Sequence, residues 1–134
     1  MKFYIASSIT NYKQVQYLAN KLRAAGWTQT FDWTMHLAEE TNIDFLKDMA
    51  KKEFFGVKEA DTVIVLQPEG KGTHTEFGMV IALNKTVYLC HNDNEYFKGA
   101  NSTTFYWLPQ VIQLTGTIDE IYNEILGSII GNTA

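Results

Sequence analysis

The 134-residue sequence predicts a three-layer α/β domain around a doubly wound sheet of about five mostly parallel strands. Short apolar runs alternate along the chain with longer segments whose apolar residues recur at helical spacing. The strand-like runs are apolar at nearly every position, which is typical of parallel strands covered by helices on both faces. Right-handed crossovers then place helices on each side of the sheet, in a flavodoxin-like or Rossmann-like arrangement. We expect a single domain over residues 1–134.

The first strand and the first helix are bounded by polar residues and a glycine. Residues 3–6 form a short apolar run that ends at Ser7 and Ser8, and this run predicts a buried strand. Thr10 is expected to cap the helix that follows, in which apolar residues recur at helical spacing. Gly26 ends that pattern, as glycine commonly does just beyond a helix.

The next two elements are a strand over residues 27–33 and a helix over residues 43–60. The strand is predicted from its aromatic residues and threonines. The helix is predicted from a stripe of apolar residues that should face the sheet. That stripe consists of Ile43, Leu46, Ala50, Phe54 and Val57.

The second half of the chain continues the alternation of strands and helices. Residues 63–66 form its most strand-like run, a helix is expected over 73–83, and a fourth strand over 86–90. A short fifth strand is expected within 109–114, and an amphipathic helix over 118–130.

Composition and charge narrow the possible functions. Fifteen acidic and eleven basic residues give a formal charge of −4, so neither nucleic acid nor an anionic membrane is an expected partner. The single cysteine, Cys90, excludes an internal disulfide, and the three histidines lack metal-ligand spacing, so no metal is expected. The apolar run at the N-terminus is too short for a signal sequence or a membrane span, and a cytoplasmic protein is expected.

Polar segments are expected to meet at the carboxyl ends of the strands, where such sheets bind ligands. Gly70 and Gly72 would let the backbone approach a ligand, and a helix beginning at Thr73 would favour an anion. The loop lacks the spacing of a Walker A motif, and the first turn lacks a dinucleotide fingerprint. The segments at this edge are residues 7–11, 32–34 and 67–76.

Glu76 and Glu53 each have two interpretations. Thr73-x-x-Glu76 matches a capping box, but Glu76 also stands at the ligand edge, where the helix N-terminus would keep a nucleophilic carboxylate ionised. Glu53 falls on the stripe expected to face the sheet, where it either reaches water or donates a proton in the cleft of Glu76. One ionised and one protonated carboxylate suit glycosidic bond cleavage. Tyr4 is expected to be buried, with its hydroxyl bonded to a carboxylate or to backbone.

Several segments resemble the nucleoside 2-deoxyribosyltransferase superfamily, which includes the 2′-deoxynucleoside 5′-monophosphate N-hydrolases. They are residues 61–66, 72–78 and 82–87, and residues 3–9 are similar to the family's first strand and turn. The resemblance extends from residue 2 to residue 115. Its core is the spaced set Gly70, Gly72, Glu76 and Gly78.

The resemblance implies a role for each matching residue. Glu76 would be the nucleophile that attacks the sugar C1′ and forms a covalent deoxyribosyl intermediate, and Tyr4 would orient it. Glu53 stands where the family has an aspartate that protonates or binds the leaving base. Gly70 stands where the transferases carry an aspartate that binds the sugar hydroxyl, whereas the nucleotide hydrolases have a small residue there. The expected substrate-binding residues are Ser7, Ser8, Ile9, Thr10, Gly70, Gly72, Thr73 and Thr103, the last reaching a neighbouring subunit's site.

These observations lead to a primary hypothesis and two alternatives. The primary hypothesis is cleavage or transfer at the N-glycosidic bond of a 2′-deoxynucleoside or its 5′-monophosphate, without a metal or redox cofactor. The first alternative is a non-catalytic nucleotide-binding or signalling module of the same fold. The second is a glycohydrolase acting on NAD-type substrates through a similar lone glutamate.

A long polar segment near the end of the chain suggests self-association. Residues 91–104 are expected to form a loop, and several large aromatic residues lie in it or beside it. Such residues mark an interface, which would make the protein a homo-oligomer whose 91–108 region closes a neighbour's site. Alternatively, they fold back over the domain's own core. The aromatic residues are Phe97, Phe105, Tyr106 and Trp107.

Overall fold

The computed structural model describes residues 1–93 and 97–133, and within them the chain alternates strands and helices. The strands are β1 (Lys2–Ala6), β2 (Thr28–Gln29), β3 (Thr62–Leu66), β4 (Thr86–His91) and β5 (Val111–Thr115). The helices are α1 (Tyr12–Ala24), α2 (Ile43–Glu59), α3 (Lys71–Ala82) and α4 (Ile118–Thr133). Among these described helices, none is both long and apolar enough to cross a membrane.

The five strands form one parallel sheet in the order β2-β1-β3-β4-β5, which confirms the predicted fold class. Tyr4 of β1 pairs in register with Val63 of β3, and Ile64 pairs with Tyr88 of β4. Helix α1 contacts α4, and α2 contacts α3. The strand order reverses between β1 and β3, and a crevice opens at that point, beyond their carboxyl ends.

Burial follows the continuous apolar pattern of the central strands. All five residues of β3 are buried, as are residues 3–6 of β1 and residues 87–90 of β4. Helix α1 contributes Val15, Leu18 and Leu22, none of which has measurable exposure. Strands buried on both faces hold the sheet rigid, and residues at their carboxyl ends therefore have fixed positions.

The expected boundaries of strand two and helix one are wrong, because side-chain oxygens cap short 3₁₀ turns. The Asp32 carboxylate accepts a hydrogen bond from the Thr34 N–H at 3.0 Å, and the chain turns through Trp33–His36 instead of continuing β2. Similarly, Ser8 rather than Thr10 caps a 3₁₀ turn that precedes α1.

The expected buried stripe of α2 is also wrong. Of its five residues only Val57 is buried, while Leu46 and Phe54 are about half exposed. The helix instead packs through Met49, Gly56 and Val57. A Cβ atom on Gly56 would lie 2.7 Å from Cδ2 of Tyr4, so the missing side chain sets the closest approach of α2 to the sheet.

The segment expected to be a polar loop contains both buried and exposed aromatic residues. Phe97 and Tyr106 are buried in the core of the same chain, as the fold-back alternative expected. Phe105 and Trp107, on a 3₁₀ turn over Thr104–Trp107, are more than half exposed. Part of the expected loop, residues 94–96, lies outside the described residues.

We predict that Gly56→Ala destabilises the protein by about 1–3 kcal/mol, because its Cβ atom would push the fully buried Tyr4 ring out of place. Urea unfolding measures the change. Gly127→Ala in α4 is the matched control, since a Cβ atom there meets nothing within 4 Å. The control should be neutral or slightly stabilising. Equal stability of the two variants would contradict this account of the packing.

Candidate active site

A cleft of about 260 Å³ opens between the carboxyl ends of β1 and β3, the start of α3 and one side of α2. It brings together eight of the residues that the sequence analysis selected. The residues lining it are Ser7, Ser8, Ile9, Trp33, Glu53, Gly70, Lys71, Gly72, Thr73 and Glu76.

The Glu76 carboxylate is buried and accepts a short hydrogen bond from the Tyr4 hydroxyl. The expected capping box is wrong, because α3 begins at Lys71 and Glu76 is the sixth residue of the helix. The Thr73 hydroxyl instead accepts a hydrogen bond from the Gly70 N–H at 3.1 Å. Glu76 therefore has no capping role, and its carboxylate faces Tyr4 of β1.

Burial dominates the electrostatics of this carboxylate. It raises the pKa of Glu76 to about 8, the Tyr4 hydrogen bond acts in the opposite direction, and the charge of Glu53 raises the pKa further. Burial therefore acts against the expectation that the helix N-terminus keeps Glu76 ionised. The field of a helix end falls off within its first turn, and Glu76 lies beyond that turn.

Glu53 lies in the same cleft, half-buried on α2. Burial raises the pKa of the Glu53 carboxyl group. The pKa of the Tyr4 hydroxyl is raised mainly by burial, then by Glu76, and to a smaller extent by the charge of Glu53. Two carboxyl groups of different burial thus occupy one cleft. Such a pair divides the tasks of an acid and a nucleophile according to the environment of each group.

Hydrogen bonds fix the first turn of the chain to the end of β3. The Ser7 hydroxyl donates to the Leu66 carbonyl at 2.7 Å, and the Ser8 N–H donates to the Pro68 carbonyl at 3.0 Å. Asn11 Nδ2 donates to the Ser7 hydroxyl oxygen at 3.0 Å. This wall of the cleft is therefore held by β3 and not only by its own loop.

Two predicted substrate-binding residues lie outside the cleft. Thr10 is exposed, and its hydroxyl lies 3.0 Å from that of Ser8, behind the turn. Thr103 lines a separate apolar cavity of about 470 Å³ together with His74, Phe77 and Phe105. Within one chain, Thr103 is thus not among the residues that surround Glu76.

The cleft also contains Lys71 and Trp33, which belong to the segments 67–76 and 32–34 predicted for this edge but were not among the predicted site residues. Lys71 lies between Gly70 and Gly72 at the start of α3, and a lysine between two glycines at a sheet edge was the available signal. Trp33 is buried and donates from Nε1 to the Ile5 carbonyl at 2.8 Å. In the described part of the chain, no group of three or more His, Cys, Asp or Glu side chains is arranged to hold a metal ion.

Comparisons with known proteins support the fold. No protein-family model matches the chain, and no curated protein matches it. The structure is similar to that of the CMP N-glycosidase BcmB from Clostridium botulinum, with a TM-score of 0.68 and 18% identity over 96% of this chain and 99% of that one. It is also similar to a conserved protein from Enterococcus faecalis V583, with a TM-score of 0.60 and 12% identity over 96% and 98% of the two chains.

We predict that Glu76→Gln stabilises the protein at alkaline pH. The pKa of Glu76 in the folded state, about 8, exceeds its ordinary value of 4.5, so wild-type stability should fall as pH rises between these values. Above pH 8 the variant should be more stable by about 3–5 kcal/mol, and the difference should shrink toward pH 4. Urea unfolding at a series of pH values measures it. Glu59→Gln, at an exposed position, is the control, and a pH-independent difference for Glu76→Gln would contradict the prediction.

Proposed function

We propose that this protein cleaves the N-glycosidic bond of a 2′-deoxynucleoside or its 5′-monophosphate through a covalent intermediate on Glu76. The observation that carries the proposal is the buried Glu76 carboxylate, which Tyr4 holds in a cleft shared with Glu53. The resemblance of the sequence to nucleoside 2-deoxyribosyltransferases supports the same reaction class. So does the name of one structural neighbour, a CMP N-glycosidase.

The proposed reaction has two steps. In the first, ionised Glu76 forms a bond to the sugar C1′ as the C1′–N bond breaks, and the departing base takes the electron pair and a proton from Glu53. In the second, water or another base attacks C1′, its proton passes to Glu53, and the Glu76 carboxylate is released. Throughout, the Tyr4 hydroxyl holds one carboxylate oxygen of Glu76, which leaves the other oxygen for attack.

Charge at the cleft favours a substrate that carries a phosphate. Lys71 lines the cleft beside Ser7 and Ser8 and stands at the N-terminal end of α3, the end of a helix that favours an anion. Gly70 adds no negative charge. The neighbouring Glu69 has a carboxylate oxygen 3.9 Å from Nε2 of His74 and is not among the residues lining the cleft. We therefore propose the 5′-monophosphate as the preferred substrate.

A non-catalytic nucleotide-binding module is a second candidate function. It is favoured by the raised pKa of Glu76, since a protonated carboxylate is not a nucleophile at neutral pH. The two candidates differ in a single observable, the release of free base. A glycohydrolase acting on NAD would release nicotinamide and is distinguished by the same measurement.

We predict that the protein releases free base from at least one compound in a panel of deoxynucleosides, deoxynucleotides, ribonucleotides and NAD. The release is measured with and without an acceptor base. On a compound that the wild-type protein cleaves, the Glu76→Gln variant should have a kcat/KM at least about 10³-fold lower, although glutamine still accepts the Tyr4 hydrogen bond. Wild-type kcat/KM should pass through a maximum as pH is varied, because the first step requires an ionised Glu76 and a protonated Glu53.

The exposed Glu59→Gln variant is the control and should keep wild-type activity. Near-normal turnover in Glu76→Gln would exclude Glu76 as the nucleophile. Absence of base release from every compound, despite measurable binding, would favour the binding module.

We also propose that the chain forms a homo-oligomer through the surface around Phe105 and Trp107. Both side chains are more than half exposed, and Phe105 borders the apolar cavity that Phe77, Ile81 and Thr103 also line. A cavity with almost no polar lining beside exposed aromatic side chains is typical of an interface. In such an assembly, Thr103 would approach a neighbour's cleft.

We predict that light scattering at micromolar concentration gives a multiple of the 15.3-kDa chain mass. The double variant Phe105→Ser and Trp107→Ser should shift the mass toward one chain, whereas Met35→Ser, at an exposed site elsewhere, should not. Mixing Glu76→Gln chains with Thr103→Val chains should restore some activity if the site is shared. A strictly monomeric wild-type protein would overturn the proposal, and no recovery despite subunit exchange would exclude a shared site.

A further inference from the structure

The segment over residues 67–74 leads from the end of β3 into the first turn of α3 and forms one wall of the cleft. Its middle part, residues 70–73, lines the cleft. A Cβ atom placed on Gly70 or Gly72 would meet nothing within 4 Å, so the backbone there is not packed on the side where a side chain would stand. Because glycine also restricts the backbone least, the position of this wall depends on contacts at the two ends of the segment.

The Tyr106 hydroxyl contacts both ends of the 67–74 segment. Gln67 Nε2 donates to it at 3.2 Å, and His74 Nε2 lies 3.0 Å from the same oxygen. Gln67 is the first residue after β3, and His74 is the fourth residue of α3. One oxygen atom thus joins the two side chains that flank the cleft wall. None of these three residues is among those that line the cleft, so their contribution to it is indirect.

The other contacts of Tyr106 hold its hydroxyl in a fixed position. Tyr106 is only 2% exposed, and its ring packs edge-on against Phe77 of α3 with ring centroids 5.5 Å apart. Its N–H donates to the Thr103 carbonyl at 3.1 Å, and its carbonyl accepts from Gln113 Nε2 of β5 at 3.0 Å. Closely packed interiors allow little movement, and the hydroxyl is therefore a rigid anchor for the segment.

Gln67 carries a penalty that a purely stabilising role does not explain. The residue is only 7% exposed, and its Oε1 atom has no hydrogen-bond partner among the residues that the structure describes. An unpaired buried acceptor is unfavourable, and an apolar side chain of similar size would avoid this penalty. Within the described part of the chain, the Gln67 side chain makes one hydrogen bond, the one to Tyr106. This pattern indicates a role in positioning.

The inference from these contacts rests on the proposed preference for a 5′-monophosphate. We propose that Tyr106 is a positioning residue, whose hydroxyl holds the two ends of the 67–74 segment so that Lys71 and the start of α3 meet the phosphate of the substrate. Glu76, in contrast, is held by Tyr4 of β1 through a separate hydrogen bond. Loss of the Tyr106 hydroxyl should therefore weaken phosphate binding and leave the nucleophile in place.

Calorimetry with matched ligands tests this proposal. The probes are the four common deoxynucleosides and their 5′-monophosphates, bound to protein that also carries Glu76→Gln so that cleavage does not interfere. The quantity compared is the dissociation constant of a nucleoside divided by that of its monophosphate. Tyr106→Phe keeps the ring beside Phe77 but removes the hydroxyl. It should lower this ratio at least about fivefold and change nucleoside binding less than about twofold, as expected for the loss of one or two hydrogen bonds.

Tyr88→Phe is the matched control. Tyr88 is equally buried, and its hydroxyl donates to Ser128 Oγ of α4 at 3.4 Å, so its removal should leave the ratio unchanged. Gln67→Met is a second variant, which removes one of the same hydrogen bonds and fills the space with a flexible apolar side chain. It should lower the ratio without lowering stability in urea unfolding. An unchanged ratio in both variants, or an equal loss of affinity for nucleoside and monophosphate, would overturn the positioning role.

Kinetic measurements separate this inference from the proposed reaction. On a monophosphate that the wild-type protein cleaves, Tyr106→Phe should raise KM at least about fivefold and change kcat less than about twofold. A fall in kcat with unchanged KM would overturn the positioning role, as would equal binding of nucleosides and monophosphates by a protein that does release base. A lower ratio in both variants without base release from any compound would overturn the cleavage reaction and leave Tyr106 as a positioning residue for phosphate binding.

Discussion

The burial of the Glu76 carboxylate against the Tyr4 hydroxyl is the interaction around which the other parts of the site are arranged. Taking a carboxylate out of water is costly unless it is hydrogen-bonded or paired, and Tyr4 supplies a hydrogen bond from the core of β1. The Tyr4 ring in turn requires the bare backbone of Gly56 against it. One hydrogen bond therefore fixes the spacing of three elements, β1, α2 and α3.

This arrangement also determines how readily the Glu76 carboxyl group ionises. Burial outweighs the hydrogen bond from Tyr4, and the nearby charge of Glu53 adds to the effect, so Glu76 holds its proton at neutral pH. Positive charge near the carboxylate, such as that which develops on a sugar ring as its glycosidic bond breaks, would favour the ionised form. The same burial that disfavours ionised Glu76 at rest strengthens its attraction to that charge, because the local dielectric constant is low.

The sequence predicted most of the sheet because β1, β3 and β4 are continuous apolar runs, and parallel pairing follows from their burial on both faces. Predictions from local patterns were wrong where tertiary contacts determine which residues are buried or where a helix begins. The apolar stripe of α2 was misassigned because Gly56, which has no hydrophobic side chain, determines which face of the helix approaches Tyr4. The start of α3 was misplaced because Thr73 caps the helix from inside its first turn. Glu53, Glu76 and Tyr4 were selected for their positions in the fold as well as for their chemistry, and the structure places them close together.

The relative positions of Glu53 and Glu76 also depend on a contact far from the cleft. Lys85 follows α3, and its Nζ donates to the carbonyls of Val57 and Ala60, at 3.1 and 2.7 Å, where α2 ends. Carbonyl groups at the end of a helix lack partners within the helix, and a cation there also complements the helix dipole. Because α2 carries Glu53 and α3 carries Glu76, this lysine joins the two carboxylate-bearing helices at the opposite end of the sheet. The spacing of the two carboxyl groups is therefore fixed at both ends, by Tyr4 against Gly56 beside the cleft and by Lys85 below it.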